Sequence, residues 1–222
     1  DRIFVVSDEV KKHFIKSYPQ YQSKVYVFHN RIDLKKIRKR AAEPGGFTDS
    51  YEGIRLLTVG RLTYQKGYDI AIDAMKMLKE SGCRVKWYVL GEGDEHEMLE
   101  REIIQHGLQE DFILLGAVEN PYPYYAQADI YVHATRFEGK SIAIQEAQIL
   151  GCPVIASDCN GNREQIENGI DGILCSLTPE AIAESIKELI ADQKKREEYA
   201  KRAKNRNTQN KDELDLLLNM IN

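Results

Sequence analysis

Two carboxylates, Glu138 and Glu146, have the spacing most suggestive of chemistry, with seven residues between them around the start of a predicted helix. Glu146 shares one helical stripe with Gly139, Ile142, Ala143 and Leu150. A charge on an apolar face is costly, so this carboxylate is either salt-bridged or partly exposed, or it points at hydroxyl groups in a cleft. Eight residues of helix rise about 12 Å, whereas paired glycosidase carboxylates lie about 5 to 9.5 Å apart. We therefore expect the two glutamates to contact two ends of one elongated ligand.

Two cations, Arg61 and Lys66, flank the loop between the predicted strand 54–59 and the helix that follows it. A lysine beside a helix N-terminus is unfavourable against the helix dipole. It becomes favourable when an anion lies there, held by both cations and by free backbone N–H groups. The start of the later helix, at residues 139–141, could face a phosphate in the same way. The alternative is a pair of solvated surface cations.

A glycine-rich turn, Gly91-Glu92-Gly93-Asp94, follows the second strand of the regular part of the chain. It fails as a dinucleotide fingerprint because His96 occupies the third glycine position and because the turn does not follow the first strand. This counts against a nicotinamide-dependent oxidoreductase. Two glycines still allow a ligand to approach the backbone closely, and a plain strand-to-helix turn is the alternative.

The remaining polar features are weaker signals. His133 ends a predicted strand at the ligand side, but a lone histidine is most simply a core or rim residue, and the tyrosines at 122–125 are most simply a packed loop and short helix. The basic run 35–40 is either a solvated surface segment or a contact for an anionic membrane or partner. The four cysteines lack metal-ligand spacing, which predicts no metal site.

Apolar strands alternate with helices from residue 54 onward. The predicted strands are 54–59, 85–90, 112–115, 130–133, 154–157 and 173–175, and helices begin near residues 68, 95, 140, 163 and 178. Strands that are apolar throughout are buried on both faces, which indicates a parallel sheet with helices on either side. The pattern predicts a Rossmann-like α/β fold, a doubly wound parallel sheet that binds ligands beyond the carboxyl ends of its strands.

Composition narrows the class of protein. The 222 residues are 42% hydrophobic and 30% charged with a net charge of −4, which fits a globular fold and argues against nucleic-acid binding by bulk basicity. No apolar run approaches the roughly 20 residues of a membrane span, no signal-peptide pattern opens the chain, and the dispersed cysteines are typical of a reducing compartment. We expect a cytoplasmic protein.

The chain opens without Met, directly on an apolar strand, so we expect a piece of a longer polypeptide. We divide it into four parts. Residues 1–30 form a strand–helix–strand unit, 31–53 a linker, 54–193 the ligand-binding domain and 194–222 a helical tail.

Four segments match, in order, the motifs of one enzyme family. They are Val59-Gly60-Arg61-Leu62 with Gln65-Lys66-Gly67; Leu90-Gly91-Glu92-Gly93; Leu115-Gly116-Ala117-Val118 with Tyr125 and Ala128-Asp129; and Glu138 with Glu146, followed by Gly151-Cys152-Pro153-Val154-Ile155-Ala156. The set resembles the C-terminal, donor-binding half of retaining glycosyltransferases of the GT-B fold, glycosyltransferase family 4 (glycosyl transferases group 1).

The resemblance implies a role for each candidate residue. Arg61 and Lys66 would hold the diphosphate of a nucleotide-sugar donor, Glu138 would contact the donor sugar, and Glu146 would bind the ribose hydroxyls. Gly139, Lys140 and Ser141 would offer backbone N–H groups, and residues near Gly91 and Val118 would border the base. The resemblance implies a donor that is first a UDP-sugar, then a GDP-sugar, with no cofactor and no metal, and transfer with retention of the anomeric configuration.

The resemblance also implies binding partners, and two alternative functions remain open. The acceptor would be a glycan or a lipid-linked glycan in surface polysaccharide or glycolipid synthesis, bound through an N-terminal domain of which residues 1–30 resemble only the last strand, helix and strand. We expect the isolated chain to bind donor but to transfer sugar poorly. Two motifs depart from the family: Asn30-Arg31-Ile32-Asp33 lacks the hinge glycine, and Lys140-Ser141 replaces Phe-Gly. The alternatives are a sugar-nucleotide-binding module without catalysis and, less strongly, a Rossmann NAD-dependent oxidoreductase.

Overall fold

The computed structural model describes residues 2–28 and 32–206. The strands are β1 (Ile3–Val5), β2 (Val25–Val27), β3 (Ile54–Val59), β4 (Val85–Leu90), β5 (Phe112–Leu114), β6 (Ile130–His133), β7 (Val154–Ser157) and β8 (Gly172–Cys175). The helices are α1 (Asp8–Ser17), α2 (Leu34–Ala41), α3 (Tyr68–Glu80), α4 (His96–Gln105), α5 (Tyr122–Gln127), α6 (Ile142–Leu150), α7 (Asn160–Arg163), α8 (Pro179–Ala191) and α9 (Gln193–Arg206), with 3₁₀ turns at Pro19–Lys24 and Tyr64–Lys66.

Six strands form one sheet in the order β5-β4-β3-β6-β7-β8, and every neighbouring pair is parallel. The predicted doubly wound α/β fold is therefore confirmed. The chain runs from β3 outward to β5 and then crosses back to β6, so the switch point lies between β3 and β6. The carboxyl ends of these two strands are the place where such a sheet binds ligands.

Two apolar layers cover the faces of this sheet, as expected for strands without polar alternation. One layer is built around Trp87, Leu56 and Met75, and the other around Tyr131, Tyr125 and Leu57. All of these side chains are buried. The packed core therefore fixes the ends of the strands and, with them, the points from which the following loops start.

A smaller parallel pair, β1 and β2, is joined by α1 and lies beside the main sheet. The backbone N–H of Glu9 donates to Glu164 Oε1 at 2.7 Å. A Cβ added at Gly139 would lie 3.4 Å from Val10 and 3.7 Å from Val6. This unit therefore packs against the start of the α6 region, which the sequence singled out.

Three features differ from the sequence-based expectations. The basic run in the predicted linker forms a helix, α2, whose one buried residue is Ile37. The short helix expected from residue 163 begins earlier, as α7. The stripe that carries Glu146 is not a core face, since Ile142 is 48% exposed while Ile144 and Ala147 are buried.

The four-part division of the chain stays a prediction. Residues 30 and 31 of the altered hinge and the tail beyond residue 206 lie outside the described residues. None of the helices in the described part of the chain combines the length and apolar composition needed to cross a lipid bilayer.

Gly67 gives a test of local packing in the loop that carries Lys66. It has φ +60°, and an added Cβ would lie 2.3 Å from the Ala134 carbonyl oxygen, whereas Gly82 (φ +74°) has open space around it. In both Gly→Ala variants the left-handed backbone conformation costs about 1 kcal/mol of stability. In Gly67→Ala the new methyl group also collides with the Ala134 carbonyl, and the shift needed to relieve this costs about 1–3 kcal/mol more. Urea denaturation should therefore show a clearly larger loss of stability for Gly67→Ala. Equal losses would contradict this account of the loop.

Candidate functional site

The loops that follow β3 and β6 are bound tightly to one another. The carbonyl of Gln65 accepts hydrogen bonds from the Arg136 N–H at 2.8 Å and the Thr135 hydroxyl at 2.9 Å. The side chain of Gln65 donates to the Phe137 carbonyl at 2.8 Å. Arg136 also forms a two-pronged ion pair with Asp69 at 3.0 and 2.6 Å. The two loops at the switch point therefore form one rigid unit.

Lys66 and Glu138 meet at the centre of this unit. Lys66 Nζ donates to Glu138 Oε2 at 2.6 Å, and their side chains are only 16% and 13% exposed. His133 Nε2 lies 3.2 Å from the same oxygen. Burial alone would raise the pKa of Glu138, but the hydrogen bonds from His133 and Lys66 and the charge of Lys66 outweigh it and lower the pKa to about 2. Glu138 is therefore a carboxylate at every physiological pH.

The depressed pKa of Glu138 makes a prediction about stability. Its folded pKa of about 2 lies below the ordinary value of 4.5, so its contribution, at most about 3 kcal/mol, is complete above pH 4.5 and is lost as the pH falls towards 2. Glu138→Gln should be less stable than wild type at pH 6 and should lose less stability between pH 4.5 and 2. Denaturant unfolding at a series of pH values measures both slopes. Parallel slopes for the two proteins would contradict the assignment.

Glu146 has different partners. The Tyr122 hydroxyl donates to Oε1 at 3.1 Å and the Tyr125 hydroxyl to Oε2 at 3.3 Å. Burial raises the pKa of Glu146, and the two hydroxyls offset this only in part. Within the described part of the chain Glu146 has hydrogen-bond partners and no ion pair, and it is half-buried, which fits the expectation of a partly exposed carboxylate.

A row of buried rings connects the two glutamates. The rings of Tyr125 and Tyr131 are 5.4 Å apart, and those of Tyr131 and His133 are stacked at 5.9 Å. The Tyr131 hydroxyl lies 3.2 Å from His133 Nδ1. The sequence interpretation treated His133 and the tyrosines as packing residues. The signal that it passed over is that residues 131 and 133 share one face of a strand that ends at the switch point.

The residues before α6 are also held in place. Ser141 is buried and caps the helix, its hydroxyl accepting from the Ile144 N–H at 3.4 Å. A Cβ at Gly161 would lie 2.3 Å from the Glu138 carbonyl oxygen and 2.5 Å from that of Gly139, so α7 packs directly on this backbone. Lys140 is half-buried within the same stretch. The helix N-terminus predicted to face a phosphate therefore adjoins Glu138.

Gly91 lies at the end of β4 and is a packing glycine. Its φ is +147°, and an added Cβ would lie 2.0 Å from the Gly60 carbonyl oxygen. The close approach that the sequence indicated is therefore one between two loops of the protein. Arg61, in the second of those loops, is exposed, and Val118 packs on the tyrosine side of the sheet. A pocket of about 590 Å³ opens beside Gly91, lined by Glu92, Gly93, Asp94, His96 and Gly116.

A larger groove, of about 810 Å³, lies between α3 and α4. Within it Asp73, Glu102 and His106 place their ligand atoms within 4.8 Å of one another, which makes them the group best arranged for a metal ion among the described residues. His106 Nε2 lies 3.5 Å from Asp73 Oδ1, an ordinary ion-pair distance when the ring is protonated. The sequence-based prediction that no metal is required stays a prediction.

Comparison with known proteins shows the family to which the chain is similar. Residues 49–206 match the family described as glycosyl transferases group 1. The chain is 32% identical over 185 residues to the N-acetylgalactosamine-N,N'-diacetylbacillosaminyl-diphospho-undecaprenol 4-alpha-N-acetylgalactosaminyltransferase of Campylobacter jejuni, covering 82% of this chain and 49% of that protein. It is 31% identical to an amylovoran biosynthesis glycosyltransferase of Erwinia amylovora, over 61% of this chain and 35% of that protein.

The fold is also shared with solved structures. The Anabaena protein HepE, crystallised with UDP and glucose, superposes with a TM-score of 0.83 at 22% identity, over 99% of this chain and 61% of that one. The chain spans about half the length of the curated relatives it matches.

Proposed function

This chain belongs to the glycosyl transferases group 1 family, and we propose from that premise that it is the nucleotide-sugar-binding half of a retaining glycosyltransferase. The observation that carries the proposal is the pairing of Lys66 with Glu138 at the adjoining ends of β3 and β6. A cation and a carboxylate at a switch point suit a ligand with both a diphosphate and sugar hydroxyls.

Each candidate residue then has one task in sugar transfer. Lys66, Arg61 and the α6 N-terminus would stabilise the diphosphate as the bond from the anomeric carbon to its oxygen breaks. Glu138 would accept hydrogen bonds from the donor sugar, and Glu146 from the ribose. The acceptor hydroxyl forms the new bond to the anomeric carbon, and its proton passes to an oxygen of the departing diphosphate. Gly91 and Val118 would border the base.

UDP is the proposed nucleotide, and surface polysaccharide or a lipid-linked glycan is the proposed product. Support comes from what related proteins are reported to bind or make. HepE was crystallised with UDP and with UDP-glucose, the Campylobacter relative is named for a diphospho-undecaprenol acceptor, and the Erwinia relative for amylovoran synthesis. We place the reaction in the cytoplasm, with α2 turning the exposed cations Lys35, Lys36, Arg38 and Lys39 towards an anionic membrane face.

A thermal-shift panel of UDP, GDP, ADP and NADH tests this proposal. A ligand at 100 times its Kd stabilises its target by about 2.7 kcal/mol, and we expect a shift of the melting temperature with UDP alone. A shift with GDP alone would change the proposed base of the donor from uracil to guanine and leave the proposed function unchanged. A shift with NADH and with none of the diphosphates would contradict the proposal and favour an oxidoreductase.

The donor-half assignment has its own test. The chain alone should bind a UDP-sugar yet release UDP from it far more slowly than a longer polypeptide that adds an acceptor-binding domain, because positioning two substrates supplies much of the rate. Equal turnover by the two proteins would contradict the assignment.

A further inference from the structure

His133 lies at the end of β6 with its side chain 2% exposed, and its ring bridges two polar groups. Nδ1 is 3.2 Å from the Tyr131 hydroxyl, and Nε2 is 3.2 Å from Glu138 Oε2. Resting on the proposed function, we infer that His133 is a positioning residue that holds Glu138 against the donor sugar once the donor diphosphate has engaged Lys66. Its effect is on the preference for a UDP-sugar over UDP.

The protons along this bridge follow from the charges at its two ends. Glu138 is a carboxylate and can only accept, so the hydrogen between it and the ring is carried by Nε2. Burial lowers the pKa of His133, which keeps the ring neutral and leaves Nδ1 with a lone pair. The Tyr131 hydroxyl has one proton for two acceptors, Nδ1 at 3.2 Å and the Val59 carbonyl at 3.3 Å. Glu138 fixes the tautomer because it can only accept, and His133 donates to it.

Glu138 uses one oxygen for both of its protein partners. Among residues 2–28 and 32–206, the hydrogen bonds of this carboxylate are those of Lys66 and His133, and both go to Oε2. Oε1 is therefore the oxygen that can accept from a sugar hydroxyl. The carboxylate stays oriented only while Oε2 is anchored.

Binding of a diphosphate would change which groups hold the Glu138 carboxylate. The phosphate oxygens compete with Glu138 for the ammonium group of Lys66, because both are anions that the same cation can bind. When Lys66 turns to the phosphate, His133 is the partner that continues to hold Oε2. A bare diphosphate gains nothing from that orientation, whereas a sugar attached to it does, so removal of His133 weakens sugar recognition more than nucleotide binding.

Two substitutions separate the hydrogen bond from the packing. His133→Leu fills a similar volume without a donor, and His133→Gln keeps an amide N–H near the position of Nε2. His13→Gln is the control, because this histidine is exposed on α1. Calorimetry would measure Kd for UDP and for its glucose, galactose, N-acetylglucosamine and N-acetylgalactosamine conjugates.

Wild type should prefer at least one UDP-sugar to UDP. His133→Leu should reduce that preference about 10-fold while changing the Kd for UDP less than 3-fold or so, and His133→Gln should restore most of it, as expected for one hydrogen bond to a charged group. An unchanged preference in His133→Leu, an equal loss for UDP, or no preference in wild type would each overturn the inference. Failure of wild type to bind any of the nucleoside diphosphates would instead contradict the proposed function.

A measurement without nucleotide tests the bridge itself. In the ¹⁵N-histidine-labelled chain, the signal lost in His133→Gln should show a neutral ring protonated at Nε2, and Glu138→Gln should shift it. A ring protonated at Nδ1, or one indifferent to Glu138→Gln, would overturn the inference whatever the chain binds.

Discussion

Lys66→Met should weaken UDP binding by about 10- to 100-fold. The substitution removes a charge-assisted hydrogen bond to the diphosphate, of the order of 1.5–3 kcal/mol. It also leaves the Glu138 carboxylate, now without its 2.6 Å partner, as a like charge beside the phosphates. Titration calorimetry at fixed ionic strength measures the change, because the salt concentration alters such interactions.

Two further proteins make this result interpretable. Lys194→Met removes an exposed cation from α9 and should leave the Kd for UDP unchanged. The double variant Lys66→Met/Glu138→Gln removes the repulsion as well and should bind UDP more tightly than Lys66→Met alone. If Lys66→Met binds UDP as tightly as wild type, the cation does not serve the diphosphate and the site lies elsewhere.

Glu146→Gln should weaken UDP binding by a similar factor, about 10-fold or more, while the affinity for pyrophosphate should not change. The reason is that Glu146 would accept hydrogen bonds from the ribose, and a neutral amide accepts them less strongly than a carboxylate. In the glutamine variant the amide oxygen still accepts from one of the Tyr122 and Tyr125 hydroxyls, and the amide N–H can donate to the oxygen of the other, so the protein should remain folded.

Stability separates a binding effect from a folding effect in this variant. Because burial raises the pKa of Glu146, its charge is unfavourable in the folded state, and Glu146→Gln should unfold at about the temperature of wild type or above it. Equal loss of affinity for pyrophosphate and UDP would show that Glu146 does not face the ribose. Unchanged affinity for UDP would remove it from the site altogether.

The fold could be predicted because its signals are local. Each strand of the main sheet is a short apolar run, and Thr178 followed by Pro179 marks the start of α8, where the threonine hydroxyl caps the helix as such a pair predicts. The doubly wound parallel sheet, though not the order of its strands, followed from the alternation of elements. Helix α2 could not be predicted in this way, since its only buried residue is Ile37 and the rest of its sequence is typical of a solvated segment.

The site was predictable in its residue types and not in its contacts. The spacing of Glu138 and Glu146 and the cations near Gly67 drew attention to two loops that the fold brings together at the switch point. The pairing of Lys66 with Glu138 depends on the adjacency of β3 and β6, which are 70 residues or so apart in sequence and become neighbours only through the crossover of the sheet. The contact between His133 and Glu138 joins residues only five apart, and it depends on the course of the loop that follows β6. A lone histidine carries no pattern of its own, so only the folded chain shows its partner.

The most direct test of the central claim is a UDP titration of the ¹⁵N-labelled chain, followed through its backbone amide signals. Saturable shifts are expected in three stretches, residues 60–67, 91–93 and 138–146, and they should be lost in Lys66→Met. Shifts confined to the groove of Asp73, Glu102 and His106, or no shifts at a millimolar concentration of UDP, would contradict a nucleotide site at the carboxyl ends of β3 and β6.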